Sequence, residues 1–213
     1  MQPISPDGVI DYAAFAAAPL QREPFPFLVL PGFVLLDAVA AACAAFPGPD
    51  LPGVLPAPVD LQDDGFGRLL AALHSQRVTD LFSAKFGLAL DAATLMVTLR
   101  SRCRSQDGGI HTDSVNKLVT ALIYLNGDWS DSGGRLRLLR GPDDIEDMIA
   151  EVPPMAGTLV AFRRTENSWH GHKPFSGVRR AIMLNWMTDA AVARREIRRH
   201  AVSAGFKRLF AEA

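Results

Sequence analysis

The chain reads as a mainly β protein with flanking helices, and three features lead to that expectation. Beyond residue 90, short segments rich in β-branched and aromatic residues recur at spacings of roughly 15–25 positions. Turn-forming residues, not crossover helices, separate them, which favours antiparallel pairing in a sandwich or a barrel. Helical patterns lie outside that region: an apolar one before it, over 66–88, and a basic one after it, over 190–210.

Taken in order, residues 1–24 contain Pro and Ala and predict irregular chain with one short helix near 11–17. "FPFLVLPGF" (25–33) predicts a strand ended by a turn at Pro31-Gly32. "LLDAVAAACAAF" predicts an Ala-rich helix with Asp37 as its N-cap. "GPDLPGVLPAPVD" (48–60) holds too many prolines for helix or strand and predicts a loop. Leu69, Leu70, Leu73, Val78, Leu81, Phe82 and Phe86 recur at helical spacing and predict one or two helices. Strands are then expected at 93–102, 116–126, 133–141, 157–162, around "SWHGH", and at 179–187. In "GGRLRLLRG" Arg alternates with Leu, the pattern of a half-buried strand. The tail predicts a basic amphipathic helix with a wet side, or part of a dimer contact.

The 213 residues suit a single domain, 1–213, with 1–90 as N-terminal strand and helical support, 91–189 as the β core and 190–213 as a C-terminal helix. With 48% apolar and 21% charged residues the composition is that of a soluble globular protein, and a net charge of −1 gives no reason to expect nucleic acid. Cys43 and Cys103 are too few for a disulfide framework and point to a reducing compartment. The N-terminus lacks a signal-peptide pattern, and the longest apolar runs are broken by Pro, Gly and Asp. A cytoplasmic protein without a membrane partner, monomer or homodimer, is the expectation.

"GGIHTDS" (108–114) places His111 and Asp113 two positions apart. On extended backbone both side chains share a face and can reach one metal ion. Two imidazoles and one carboxylate form a facial set for ferrous iron that leaves positions open for chemistry. The third ligand must come from another strand. His74 and His200 lie in helical patterns, so His170 and His172, in "NSWHGHKPFSGVRRAIMLNWM" (167–187), are the candidates. The plain alternative is a capped turn in which Asp113 accepts backbone hydrogen bonds.

An HxD pair, a distant His and a basic residue nine positions further resemble the iron(II)- and 2-oxoglutarate-dependent dioxygenases, most closely the prolyl 4-hydroxylase-like branch. "LIYLNGDWSDSGGRLRLL" (122–139) looks like that branch's Tyr-Leu-Asn strand, Gly-Gly turn and following strand. "VPPMAGTLVAF" (152–162) looks like the strand before the distal histidine, and "FPFLVLPGF" like the opening segment. The resemblance covers 94–188 closely and 25–34 loosely. It implies a double-stranded β-helix (jelly-roll or cupin-like) with N-terminal helices and a C-terminal helix. It implies Fe(II) on His111, Asp113 and His170, with 2-oxoglutarate and O2 as co-substrates. Arg179 would pair with the distal carboxylate of 2-oxoglutarate, since a guanidinium fork suits a carboxylate. Arg180, its neighbour, points to the opposite face. Tyr124 would hydrogen-bond the same carboxylate. Thr120, Leu122, Leu136 and Asn185 would line the cavity beside it, with Ala181 and Met183, while Ile182, Leu184 and Trp186 face covering helices. Leu99 and Arg100 stand where many relatives carry a tyrosine.

The implied activity is a hydroxylation coupled to conversion of 2-oxoglutarate to succinate and CO2, with ascorbate as a reductant of the iron. The substrate, protein or small molecule, would meet loops 100–110 and 128–134. Arg100, Arg102 and Arg104 read as a solvated edge-strand face, or less readily as a greeting for an anionic substrate. Two other classes compete: a metal-binding jelly-roll module without oxygenase activity, and a metal-assisted hydrolase on the same scaffold. Neither needs the arginine at 179.

Overall fold

A computed structural model of the chain describes residues 8–47 and 53–211, the stretch 203–211 by backbone alone. Helix α1 (Tyr12–Ala17) precedes strand β1 (Phe27–Leu30) and helix α2 (Leu36–Ala44). A two-residue strand β2 (Leu55–Pro56) and helices α3 (Gly65–Leu73) and α4 (Gln76–Phe86) follow. Then come β3 (Leu95–Cys103), β4 (Lys117–Tyr124), β5 (Leu136–Leu139), β6 (Met148–Val152), β7 (Leu159–Arg163), β8 (His170–Gly171), β9 (Gly177–Met187) and α5 (Ala190–Ala211).

The strands form two antiparallel sheets, the larger in the order β1-β7-β4-β9-β3-β2 and the smaller β6-β5-β8. This is the expected double-stranded β-helix, opened into two sheets instead of a closed barrel. Strand alternation sorts the larger sheet's side chains into two cores. Val97, Leu99, Val119, Ala121, Ile123, Ile182, Leu184 and Trp186 pack against the helices, where the Phe82 ring meets Trp186 at a tilt. Their neighbours Leu122, Tyr124, Val160, Phe162 and Ala181 face the smaller sheet's Leu136, Leu138 and Val152. Each buried Val, Leu, Ile or Phe among them contributes about 1.5–3 kcal/mol. The site lies at this second interface.

Local chemistry accounts for most boundaries. Asp11, Asp64 and Ser75 cap α1, α3 and α4 by accepting the N–H of the third residue on. Gly87 ends α4 in the left-handed region. Asn126 closes β4 against β9: its Nδ2 donates to the carbonyls of Pro154 and Arg180, and its Oδ1 accepts the N–H of Arg180 at 2.7 Å.

Several expectations needed correction. Leu35, not Asp37, occupies the N-cap of α2; Asp37 lies in the first turn, where its charge still meets the helix dipole. Within the proline-rich stretch, residues 48–52 lie outside the described residues, and Leu55–Pro56 pairs with β3. The strand 133–141 is fully buried over β5 because it is the centre of the smaller sheet. Its Arg137 is inside too, neutralised by Glu151 and Glu146. Strand β6 was not expected, since "MIAEV" is a partly exposed edge without alternation. The three arginines do not share an edge-strand face: β3 lies between β9 and β2, and a bulge separates Arg100 from Arg102. The C-terminal helix packs through Val192, Ala193 and Ile197 onto Met96 and Met187.

Candidate active site

A cavity of about 360 Å³ opens between the two sheets. His111 comes from the segment before β4, Asp113 two residues on, and His170 from β8. A single antiparallel bridge joins the two histidines: each N–H donates to the other's carbonyl at 3.0 Å. One ligand atom from each of His111, Asp113 and His170 lies within 4.8 Å of the other two. Among the described residues this is the one such group of His, Cys, Asp and Glu.

The histidines are set in a single tautomer. His111 Nδ1 is 2.8 Å from the Gly109 carbonyl, and His170 Nδ1 is 2.9 Å from that of Ser168. A carbonyl only accepts, so both Nδ1 atoms carry the proton and both Nε2 atoms keep a lone pair for a metal. Burial pushes the His170 pKa down to about 4, only partly offset by Asp113, so the ring is neutral. For Asp113, burial alone would raise the pKa, but Lys117, His170 and Thr120 outweigh it and hold the carboxyl below its ordinary value. Two imidazoles with Nε2 left for a metal and an ionised carboxylate are a donor set that fits ferrous iron.

A second layer orients the carboxylate. Lys117 Nζ lies 2.7 Å from Asp113 Oδ1, and the Thr120 hydroxyl donates to Oδ2 at 2.5 Å. The Asn185 amide stands 3.1 Å from that hydroxyl. Since the hydroxyl's one proton goes to the charged acceptor, the amide meets it with an N–H.

Arg179, which also lines the cavity, is 2% exposed. Its Nε donates to the Gly134 carbonyl at 2.6 Å and its Nη2 to the Tyr124 hydroxyl at 3.2 Å. Burial raises the Tyr124 pKa, with Arg179 opposing, so the phenol keeps a proton to donate. Arg180 turns the other way, over the Phe46 ring. Thr120, Leu122, Leu136, Asn185, Ala181 and Met183 all line the cavity, while Ile182, Leu184 and Trp186 pack towards the helices.

Three lining residues escaped the sequence reading or were given another role. Lys117 sits on the parity of the outward-facing Val119 and Ala121, but a register shift between Lys117 and Val119 changes its side. Arg100 lines the cavity in step with Met96 and Thr98. His172 also lines it, with Nδ1 on the Lys173 carbonyl and Nε2 buried without a partner; it lies outside the His-Asp-His group. Gly108, at φ +89°, closes over the His172 ring where a Cβ would collide.

An antiparallel jelly-roll carrying two histidines and a carboxylate at one cavity defines a candidate non-haem metal enzyme. Residues 95–188 match the 2OG-Fe(II) oxygenase superfamily. Those residues resemble a 2OG-Fe(II) oxygenase domain, and the fold is prolyl 4-hydroxylase-like. A prolyl 4-hydroxylase from Pseudomonas putida is similar at 22% identity, over 88% of this chain and 96% of that one, with a TM-score of 0.59. A Trichoplax adhaerens prolyl hydroxylase, in complex with a hypoxia inducible factor peptide fragment, shares 19% identity over 76% of this chain and 83% of its own, at a TM-score of 0.53. HygX from Streptomyces hygroscopicus, with nickel and 2-oxoglutarate bound, shares 14% over 76% and 81%, at 0.52. No curated protein matches the sequence. Among the described residues no helix is long and apolar enough to cross a membrane.

Proposed function

We propose that this enzyme hydroxylates a C–H bond of its substrate while converting 2-oxoglutarate and O2 to succinate and CO2. His111, Asp113 and His170 would hold Fe(II), and Arg179 with Tyr124 the distal carboxylate of 2-oxoglutarate. The single observation that carries this is one cavity lined both by the His-Asp-His group and by the buried Arg179, which is hydrogen-bonded to Tyr124. Bound iron supplies the oxygen activation. The protein's residues do the rest. Lys117 and Thr120 aim the Asp113 carboxylate, and the Nδ1 hydrogen bonds fix both imidazole rings. Tyr124, already accepting from Arg179, turns its own proton towards the incoming carboxylate. Leu122, Leu136 and Met183 exclude water from the space between.

The substrate would approach from the rim formed by Val54, Met96, Met187 and α5. Ascorbate is proposed as the reductant that keeps the iron ferrous. A metal-binding module or a metal-assisted hydrolase has no use for a buried cation hydrogen-bonded to a phenol beside the same cavity. The test is anaerobic addition of Fe(II) and then 2-oxoglutarate, followed by the weak visible absorption of their chelate. Admission of O2 should then release succinate. Absence of both the band and succinate would overturn this reading.

A further inference from the structure

The cavity contains a second guanidinium, and the reading above leaves it without a task. Arg100 is half-buried and lines the cavity from β3. Its Nε is buried without a hydrogen-bond partner, and its Nη1 has only the Cys103 thiol, 3.8 Å away. Among the described residues neither Arg100 nor Arg179 is within ion-pair distance of a carboxylate. Asp107 feels the Arg100 charge, but no carboxylate is in direct contact with either guanidinium, so each can still take an anionic group of a ligand.

The sheet register says where. Tyr124 on β4 and Arg100 on β3 are both paired with Ala181 on the intervening β9. Adjacent strands lie about 4.8 Å apart, so Tyr124 and Arg100 flank Ala181 at backbone positions about 10 Å from each other. Arg179, two residues before Ala181 on the same strand, also lines the cavity. Arg100, Arg179 and Ala181 all line the cavity, and Tyr124 is hydrogen-bonded to Arg179. Arg179 cannot fill the demands of a carboxylate there alone. Its Nε–H is committed to Gly134 and one Nη2 proton to Tyr124, which breaks the Nε/Nη2 fork that grips both carboxylate oxygens.

We infer that Arg100 is a second anchor for the distal carboxylate of the 2-oxo acid, so that one oxygen is held by Arg179 and Tyr124 and the other by Arg100. It is a positioning and specificity residue. It makes the site select a dicarboxylate over a 2-oxo acid of equal length that ends in a methyl group. This inference rests on the iron and 2-oxoglutarate reading above.

The test is an anaerobic titration of the Fe(II)-loaded protein, read at the visible chelate band, with 2-oxoglutarate and with 2-oxopentanoate. The two chelate alike and differ only at the far end. In Arg100→Gln the preference for 2-oxoglutarate should fall about tenfold to a hundredfold, the effect of a lost charge-assisted hydrogen bond. Arg100→Lys keeps the charge and should lose less. An unchanged ratio in Arg100→Gln overturns the inference, whether or not both affinities fall together through damage to the fold. A wild-type protein that gives no band with either acid overturns instead the reading on which it rests.

Discussion

His111 and His170 face each other across a two-bond antiparallel bridge, each backbone N–H on the other's carbonyl at 3.0 Å. The bridge sets the two rings 4.3 Å apart, centroid to centroid, although 58 positions separate them in the chain. The two histidines proposed as ligands are thus held by backbone pairing, and loss of one ring should leave the scaffold in place. His170→Ala is expected to fold and to lose Fe(II) binding by at least about a hundredfold. His172→Ala should keep it. Equilibrium iron binding with a chelator competitor checks both, and iron retained in His170→Ala would transfer the third ligand to His172.

Thr120 touches the triad only through Asp113. Thr120→Val keeps shape and removes the donor, leaving Asp113 free to swing and Asn185 without its partner. Iron affinity should drop about tenfold to a hundredfold with little change in unfolding temperature. An affinity equal to wild type would mean that Lys117 orients the carboxylate alone.

Arg179→Lys should be as damaging to 2-oxoglutarate binding as a neutral change. An ammonium cannot span the Gly134 carbonyl, the Tyr124 hydroxyl and a carboxylate at once. The expected loss in affinity for 2-oxoglutarate is about tenfold or more, while iron binding is retained. Tyr124→Phe removes one donor and should cost less. Calorimetric titration of the metal-loaded protein separates the two effects.

The buried histidines make the metal-free protein acid-sensitive. His170 and His172 both titrate near 4 when folded, because burial disfavours their charged forms, against an ordinary value near 6.5. Between those values the unfolded chain takes up protons that the folded chain refuses. Stability should therefore be constant above about pH 7 and fall as the pH drops from about 6.5 to about 4. Urea midpoints across that range check this, and His172→Gln should flatten part of the slope.

Gly108→Ala should destabilise the protein by ~1–3 kcal/mol, since φ +89° is strained for any other residue and the added methyl meets the His172 ring. Thermal unfolding gives the shift. A change at the neighbouring Gly109, which has open space around it, should be milder.

What the sequence determined by itself was the position of most strands, β2 and β6 excepted, and the identity of the cavity-facing side chains wherever alternation runs unbroken. Ala181, Met183 and Asn185 against Ile182, Leu184 and Trp186 needed only the two-residue period of a strand. The HxD spacing, the distant histidine and the arginine nine positions later were also legible, since a likeness to a family rests on residue order. Tertiary structure alone decided the rest. Whether Lys117 faces the cavity depends on a bulge, and one inserted residue reverses the parity that a sequence reader must assume. The burial of Arg137 depends on which strand lies at the centre of the smaller sheet, and acids 9 and 14 positions away neutralise it there. The convergence of Arg100, Tyr124 and Arg179 around one alanine is a property of the pairing of three strands. Pairing is a long-range choice, made by the whole core and not by any local run of residues.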